Sequence, residues 1–291
     1  MGIYTLNDLE KLTGIKTDTI RMWEQRYRVT TAHRTETNRR WYTDDDLRRL
    51  INISILNRSG LRISEIASMP ADILEERTAE TVKGNSGPDI LADSLIIAMT
   101  RLDEDAIDEI LLRSVIYRGF EATFSTVVFP FLIKVGVMWH TGTVNIGTEH
   151  FITNIFRRKL IAGFENLRPP KKSDGKKILL FLPENEFHEL GLLYFAYILR
   201  SLGNKVLYLG QSTPLNAVVE TCEVWDPDLL ITGALTAISI GDPDDFVMKA
   251  GSLFRGKKLL LAGSLAEAAA KSKKSGVFPL RTKRDLEKLL K

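Results

Sequence analysis

A chain of 291 residues exceeds the roughly 100–150 of a typical domain, so two or three compact units are expected, each with its own core. The hydrophobic fraction of 44% is that of an ordinary globular chain, apolar runs such as Ile178 to Leu182 fall far short of the roughly 20 residues of a membrane span, and the first residues lack the pattern of a secretory leader. A net charge of +3 decides little, while the single cysteine, Cys222, excludes an intrachain disulfide, so a cytoplasmic protein without a membrane segment is expected.

The placement of charge is more informative than its sum. Between residues 16 and 62 eleven basic side chains stand against six acidic ones, a net of +5, which points to phosphate contacts. Thr5 suits the cap of a short helix with Leu6, Leu9 and Leu12 on one face, and Gly14 stands where the backbone must turn. A second helix fits Thr17 to Arg26, with Ile15, Ile20 and Trp23 inward and Lys16, Thr19, Arg21 and Arg26 outward, the shape that enters a major groove. From Arg28 to Tyr42 no helix is predicted, and the donors there read as a two-stranded wing for phosphate and minor-groove contacts. The candidate DNA-contacting set is therefore Lys16, Thr17, Thr19, Arg21, Arg26, Tyr27, Arg28, Arg34, Thr37, Asn38, Arg39, Arg40 and Tyr42. For His33 a phosphate contact and a merely solvated side chain are equally open. Thr43 with Asp44, Asp45 and Asp46 opens a third helix, whose apolar face runs through Leu47, Leu50, Ile51 and Ile55.

Tyr4-Thr5, Leu9, Thr13-Gly14, Thr19-Ile20-Arg21, Trp23-Glu24, Arg26-Tyr27, Arg34-Thr35, Asn38-Arg39-Arg40, Tyr42, Asp46-Leu47 and Gly60, in this order, resemble the MerR family of winged-helix regulators over about the first seventy residues. The resemblance implies a MerR-type DNA-binding domain over 1–75, a double-stranded DNA operator as partner, and a regulator in place of an enzyme. No nucleophile-base arrangement and no phosphate-cradling glycine loop competes with that reading.

After a linker at 76–88, residues 89–168 carry helical periodicity. Leu91 to Leu102, the Ile107, Ile110, Leu111, Val115 stripe, the Phe120, Phe124, Val127, Phe131, Val135, Met138 stripe and the Ile152, Ile155, Phe156, Leu160 stripe predict a four-helix bundle. Trp139-His140 ends the third helix and Glu149-His150 begins the fourth; by residue type alone, an aromatic there is core and two histidines make no metal site. Trp139, nine intervening residues and Glu149-His150 nonetheless resemble the signature of the light-sensing, cobalamin-dependent MerR regulators, the CarH and LitR group. That resemblance implies a bundle capping the upper face of adenosylcobalamin through Trp139, Glu149 and His150, with His140 as a possible upper cobalt ligand once light has broken the cobalt–carbon bond.

From residue 169 short apolar runs alternate with helices: strands at Lys176 to Leu182, Lys205 to Leu209, Asp228 to Thr232 and Lys257 to Ala262, with Thr213 suited to cap the helix through Val224. The alternation predicts a doubly wound parallel sheet over 169–291, flavodoxin-like, with ligands outside the strands' carboxyl ends. Just past the first strand, Glu186, His188 and Gly191 resemble the Asp-x-His-x-x-Gly motif of cobalamin-binding domains, with Glu for Asp. The resemblance makes His188 the lower cobalt ligand, Glu186 its partner, and Gly191 the point where the nucleotide tail approaches. Gly233, Leu235 and Gly263 stand where that family carries its further cofactor contacts, and the departures there favour an alternative in which the sensor has lost cobalamin and acts through protein contacts. A corrinoid carrier for methyl transfer is the remaining alternative, for which a winged helix has no use. No long heptad helix follows the DNA-binding part, so a homodimer or homotetramer held by the sensory part is expected.

Overall fold

The computed structural model describes residues 2–35, 38–83, 87–167, 175–235, 241–272 and 274–290. The chain divides into two compact units, 1–155 and 156–291.

The first unit opens with α1 (Leu6–Thr13), held at its start by reciprocal bonds in which Asp8 N donates to Thr5 Oγ1 and Thr5 N donates to the Asp8 carboxylate. Gly14 ends it at φ +74°, a left-handed turn that glycine adopts without steric cost. Helix α2 (Thr17–Tyr27) buries Ile20 and Trp23, and the wing follows as the antiparallel pair β1 (His33–Arg34) and β2 (Arg40–Trp41). A second capping box, Thr43 with Asp46, starts α3 (Asp44–Arg58). The predicted face of α3 is buried, and so are Ile53 and Leu56 on its other side, because α1, α4 (Ile63–Ala67), α5 (Ala71–Lys83) and α6 (Pro88–Thr100) pack around it. The linker expected at 76–88 falls inside this unit, and its first part, through Lys83, is helix α5.

Helix α7 (Glu104–Arg118) is followed by α8 (Phe120–Thr123), a π-helical turn at Phe124–Val128 and α9 (Phe129–His140). The wide turn has a local cause: Pro130 has no N–H to donate and its ring crowds the carbonyl four residues back, so Phe129 N bonds Phe124 O. Joined, these segments correct one expectation, since Phe120–Trp139 forms a 20-residue helix of mean hydropathy 1.6, long and apolar enough to span a membrane by length and composition. It is nevertheless a core helix, burying Phe124, Val127, Phe131, Val135 and Met138 and carrying Lys134, which is paired with the buried Asp93. Helix α10 (Ile146–Asn166) runs through the boundary into the second unit.

The second unit is a five-stranded, all-parallel sheet of β3 (Lys177–Pro183), β4 (Lys205–Thr213), β5 (Leu229–Ala234), β6 (Lys258–Gly263) and β7 (Val277–Leu280), in the order β4-β3-β5-β6-β7. Its helices are α11 (Leu190–Ser201), α12 (Leu215–Trp225), α13 (Pro243–Leu253), α14 (Leu265–Lys271) and α15 (Lys283–Leu290). That order is the doubly wound arrangement in which ligands lie beyond the strands' carboxyl ends. Three points depart from expectation. Thr213 belongs to β4 and does not cap α12, whose cap position is Pro214. Strand β7, with Pro279 inside it, was not foreseen, because proline suits only an edge strand, which β7 is. Helices α14 and α15 also escaped notice, being only 7 and 8 residues long.

The carboxyl ends of β5 and β6 approach so closely that glycine is required. A Cβ on Gly233 would lie 3.0 Å from that of Ala262, and one on Gly263, at φ +63°, would lie 2.0 Å from Ala234 O. Gly263→Ala is therefore expected to lower the stability of this unit by about 2 kcal/mol or more, read as a shifted urea midpoint at unchanged slope.

Candidate functional site

Most of the candidate DNA-contacting side chains are exposed on the first unit. Lys16, Arg21, Arg26 and Arg28 on and around α2 are exposed, as are Arg34, Asn38, Arg39 and Arg40 on the wing, while Thr17, Thr19 and Tyr27 are half-buried. The guanidinium of Arg26 lies 5.3 Å from the Tyr27 ring centroid, and Arg34 bonds the Asn38 side chain across the hairpin, where Asn38 takes a left-handed φ of +62°. His33 stacks on Trp41 at 4.3 Å, which stiffens the wing's base. Thr37 lies outside the described residues.

Tyr42 corrects its expected role. It is wholly buried, its backbone is bonded to Tyr4 in both directions at 3.0 and 2.9 Å, and burial, then the neighbouring Glu24 charge, pushes its phenol well above the ordinary range. Tyr42 thus ties the wing to the start of the chain and touches no phosphate. A residue the sequence reading missed is Glu10. Its carboxylate accepts Lys16 Nζ at 2.8 Å and Thr17 N at 3.1 Å, capping α2 in place of Lys16, whose own side chain makes no cap. The Lys16 ammonium, then the Thr17 N–H, holds the Glu10 carboxyl below its usual range.

In the second unit the loop between β3 and α11 is organised by one carboxylate. Glu186 is wholly buried, and its Oε1 accepts from Phe187 N at 2.8 Å, His188 N at 2.9 Å and His188 Nδ1 at 2.6 Å. Its Oε2 accepts from Leu235 N at 2.9 Å, which joins the loop to the end of β5. The His188 side chain is 56% exposed, and with Nδ1 committed to Glu186 its Nε2 remains for a ligand. Next to it Glu189, also buried, accepts from Arg157 and from Tyr208 Oη at 2.7 Å. Burial first, then Glu189, pushes the Tyr208 phenol far up. A Cβ on Gly191 would meet open space, Leu235 is 63% exposed and Gly263 is exposed, so the strand ends bring His188, Gly191, Leu235 and Gly263 to one edge. Gly233 departs from its expected role: it is buried inside β5 against Ala262, so it serves strand packing and offers no surface to a cofactor. The Thr232 hydroxyl is wholly buried with no hydrogen-bond partner among the described residues.

The remaining predicted residues lie in the first unit around the turn between α9 and α10. Trp139 is 53% exposed and not core, the opposite of what its residue type suggests. Glu149 Oε2 lies 2.7 Å from His150 Nδ1, and its Oε1 accepts Thr153 Oγ1 at 2.7 Å. The backbone of His140 ends α9, while its side chain lies outside the described part of the structure.

Comparison with known proteins accounts for both parts. Residues 4–71 match the MerR HTH family of regulatory proteins, and residues 91–162 match the B12 binding domain. The chain is thus a DNA-binding transcriptional regulator carrying a B12-binding domain. It is homologous to the HTH-type transcriptional repressor CarH of Myxococcus xanthus, with 29% identity over 91% of this chain and 90% of the relative, and to the repressor CarA of the same organism, with 25% identity over 83% and 78%. Its fold is similar to that of the monomethylamine corrinoid protein of Methanosarcina barkeri, with a TM-score of 0.56 and 15% identity over 68% of this chain and 94% of that one.

Because Glu10 titrates lower in the folded chain than its ordinary value of 4.5, its contribution is complete above that pH and is lost as pH falls through the lowered value. Glu10→Gln keeps an acceptor for Thr17 but removes the ion pair, so acid titration of stability is expected to show a shallower loss below pH 4.5 than the unaltered chain.

Proposed function

We propose that the winged helix binds a double-stranded operator and that the helical and doubly wound parts together hold adenosylcobalamin, through which the regulator responds to light. The observation that carries this reading is the Glu186–His188 pair: an exposed imidazole whose Nδ1 is fixed by a buried carboxylate is the arrangement that orients Nε2 for a transition metal. Bound there, cobalamin supplies a cobalt centre with an exchangeable upper position and, in its adenosyl form, a light-labile cobalt–carbon bond.

In this reading His188 is the lower ligand, and Glu186 fixes its tautomer and ring plane. The open surroundings of Gly191 leave room for the nucleotide tail, and the buried Thr232 hydroxyl, without a hydrogen-bond partner among the described residues, is the candidate donor to it. Trp139, Glu149 and His150 shield the upper face, with His140 beside them as the candidate for the upper position. The alternative, a sensor without cobalamin that acts through protein contacts, is opposed by the retained His188 held on a buried carboxylate. Copies of the chain are expected to pair as a homodimer or homotetramer, because one winged helix contacts only one half-site.

The test is the visible spectrum of the whole protein incubated with adenosylcobalamin in the dark, desalted, then illuminated. Retained corrinoid with a spectrum that changes irreversibly in light, and loss of retention or of the histidine-ligated spectrum in His188→Ala, are expected; colourless protein overturns the reading. Thr232→Val separates the roles of the tail pocket. Removing an unsatisfied buried hydroxyl is expected to leave the cofactor-free chain as stable or up to about 1–2 kcal/mol more stable in urea, while weakening cobalamin retention.

A further inference from the structure

The last carbonyls of α1 lack partners within the helix and must find them elsewhere. Glu10 O receives Gly14 N at 2.8 Å and Thr13 O receives Ser54 Oγ of α3 at 3.2 Å. Leu12 O receives Lys134 Nζ at 3.0 Å, and Lys134 lies on α9, 122 residues away and inside the segment that matches the B12 binding domain. The same ammonium is paired with Asp93 of α6, whose carboxylate is 1% exposed and whose other oxygen is paired with Arg58 at the end of α3. One buried carboxylate with two cations thus joins α3 of the MerR-matched segment to α6 and α9 of the B12-matched segment, and the second cation also caps α1. A second contact lies nearby: Gly2 sits so close to the α9–α10 turn that a Cβ on it would be 2.8 Å from Thr143 O.

We propose that Lys134 is a positioning residue for DNA recognition, and that the Arg58–Asp93–Lys134 cluster makes the seat of the recognition helix α2 follow helix α9. Capping Leu12 O with a cation suits the negative end of α1, and the two residues beyond it, Thr13 and Gly14, form the turn into α2. Lys134 precedes His140 by six residues, about 9 Å along the helix axis, so a shift or rotation of α9 that re-aims its end also draws the ammonium away from Leu12 O. Both cations serve one carboxylate that is 1% exposed, so withdrawing Lys134 leaves that buried charge with Arg58 alone, a costly arrangement that ties the position of α9 to that of α1. The inference uses the DNA-binding assignment and not the cobalamin reading, so it is tested on cofactor-free protein.

The experiment compares the full chain with Lys134→Met, which keeps the aliphatic stem, and with Lys134→Arg, which keeps the charge and the donors. Two quantities are read: affinity for a duplex selected by the unaltered chain from a randomised pool, and amide hydrogen exchange. For Lys134→Met we expect about tenfold weaker binding and about tenfold faster exchange confined to residues 12–17, with the β3 and β5 amides unchanged. Lys134→Arg should restore most of both. If Lys134→Met unfolds the first unit, Asp93→Asn combined with Lys134→Met leaves only Arg58, which is 38% exposed and can be solvated, and is read in the same way. Unchanged affinity, or weakened affinity without a local change in exchange, in a folded variant overturns the proposal.

Discussion

The geometry of the second unit depends on one buried carboxylate. Removing a carboxylate from water is costly unless its lone pairs are met by donors, and Glu186 meets that demand with three backbone N–H groups and an imidazole. Those donors come from two places in the chain, the loop after β3 and the end of β5, while Ser212 N at the end of β4 bonds the Glu186 carbonyl at 3.1 Å. Three strand ends are therefore fixed relative to each other by a single residue. The histidine presented to solvent is the fourth donor, so its orientation is paid for by the same interaction that closes the loops. This explains why Glu can replace Asp in the motif: the longer side chain reaches both its own loop and Leu235.

In the first unit the corresponding problem is solved by caps. The helix-turn-helix contains two short helices with orphan backbone groups, and three of their four ends are met by particular side chains: Thr5 and Asp8 at the start of α1, Ser54 and Lys134 at its end, Glu10 at the start of α2. None of these groups is among the candidate DNA-contacting residues. They determine where those residues point, which for a module reading base edges through a few side chains decides whether binding is possible.

What was legible in the sequence is what is encoded locally. The capping boxes at Thr5 and Thr43 span three residues, the helical stripes repeat every turn, and Glu186 and His188 stand two residues apart, so spacing alone brings the reacting groups together. The β3, β5 and β6 runs were legible because parallel strands buried on both faces are nearly continuous in apolar residues. What was not legible is long-range or exceptional. Asp93 meets Arg58 and Lys134 across 35 and 41 residues, and nothing near any of the three announces a partner. Tyr42 looked like a contact because it ends a basic wing, yet its pairing with Tyr4, close to the start of the chain, draws the ring inside. Trp139 shows the limit of residue type alone, which makes an aromatic in an apolar stripe core, whereas this one is half exposed at the end of α9.

These two aromatics have opposite consequences for what a binding surface requires. Tyr42 is enclosed in its own unit with its backbone bonded to Tyr4 in both directions, so it adds rigidity to the base of the wing. Trp139 leaves a large apolar face in water, a cost the isolated helical unit gains nothing by bearing, and it does so beside Glu149 and His150, whose charges and hydrogen bonds are arranged among themselves. An exposed indole next to a pre-arranged polar pair is the composition of a site that receives an amphipathic group, apolar over most of its area and polar at a few fixed points. Thr232 makes the complementary case from the second unit: a donor buried without a partner costs stability until something supplies an acceptor. Each feature is unfavourable as it stands, and each would be offset by a ligand that brings an apolar surface or a hydrogen-bond acceptor.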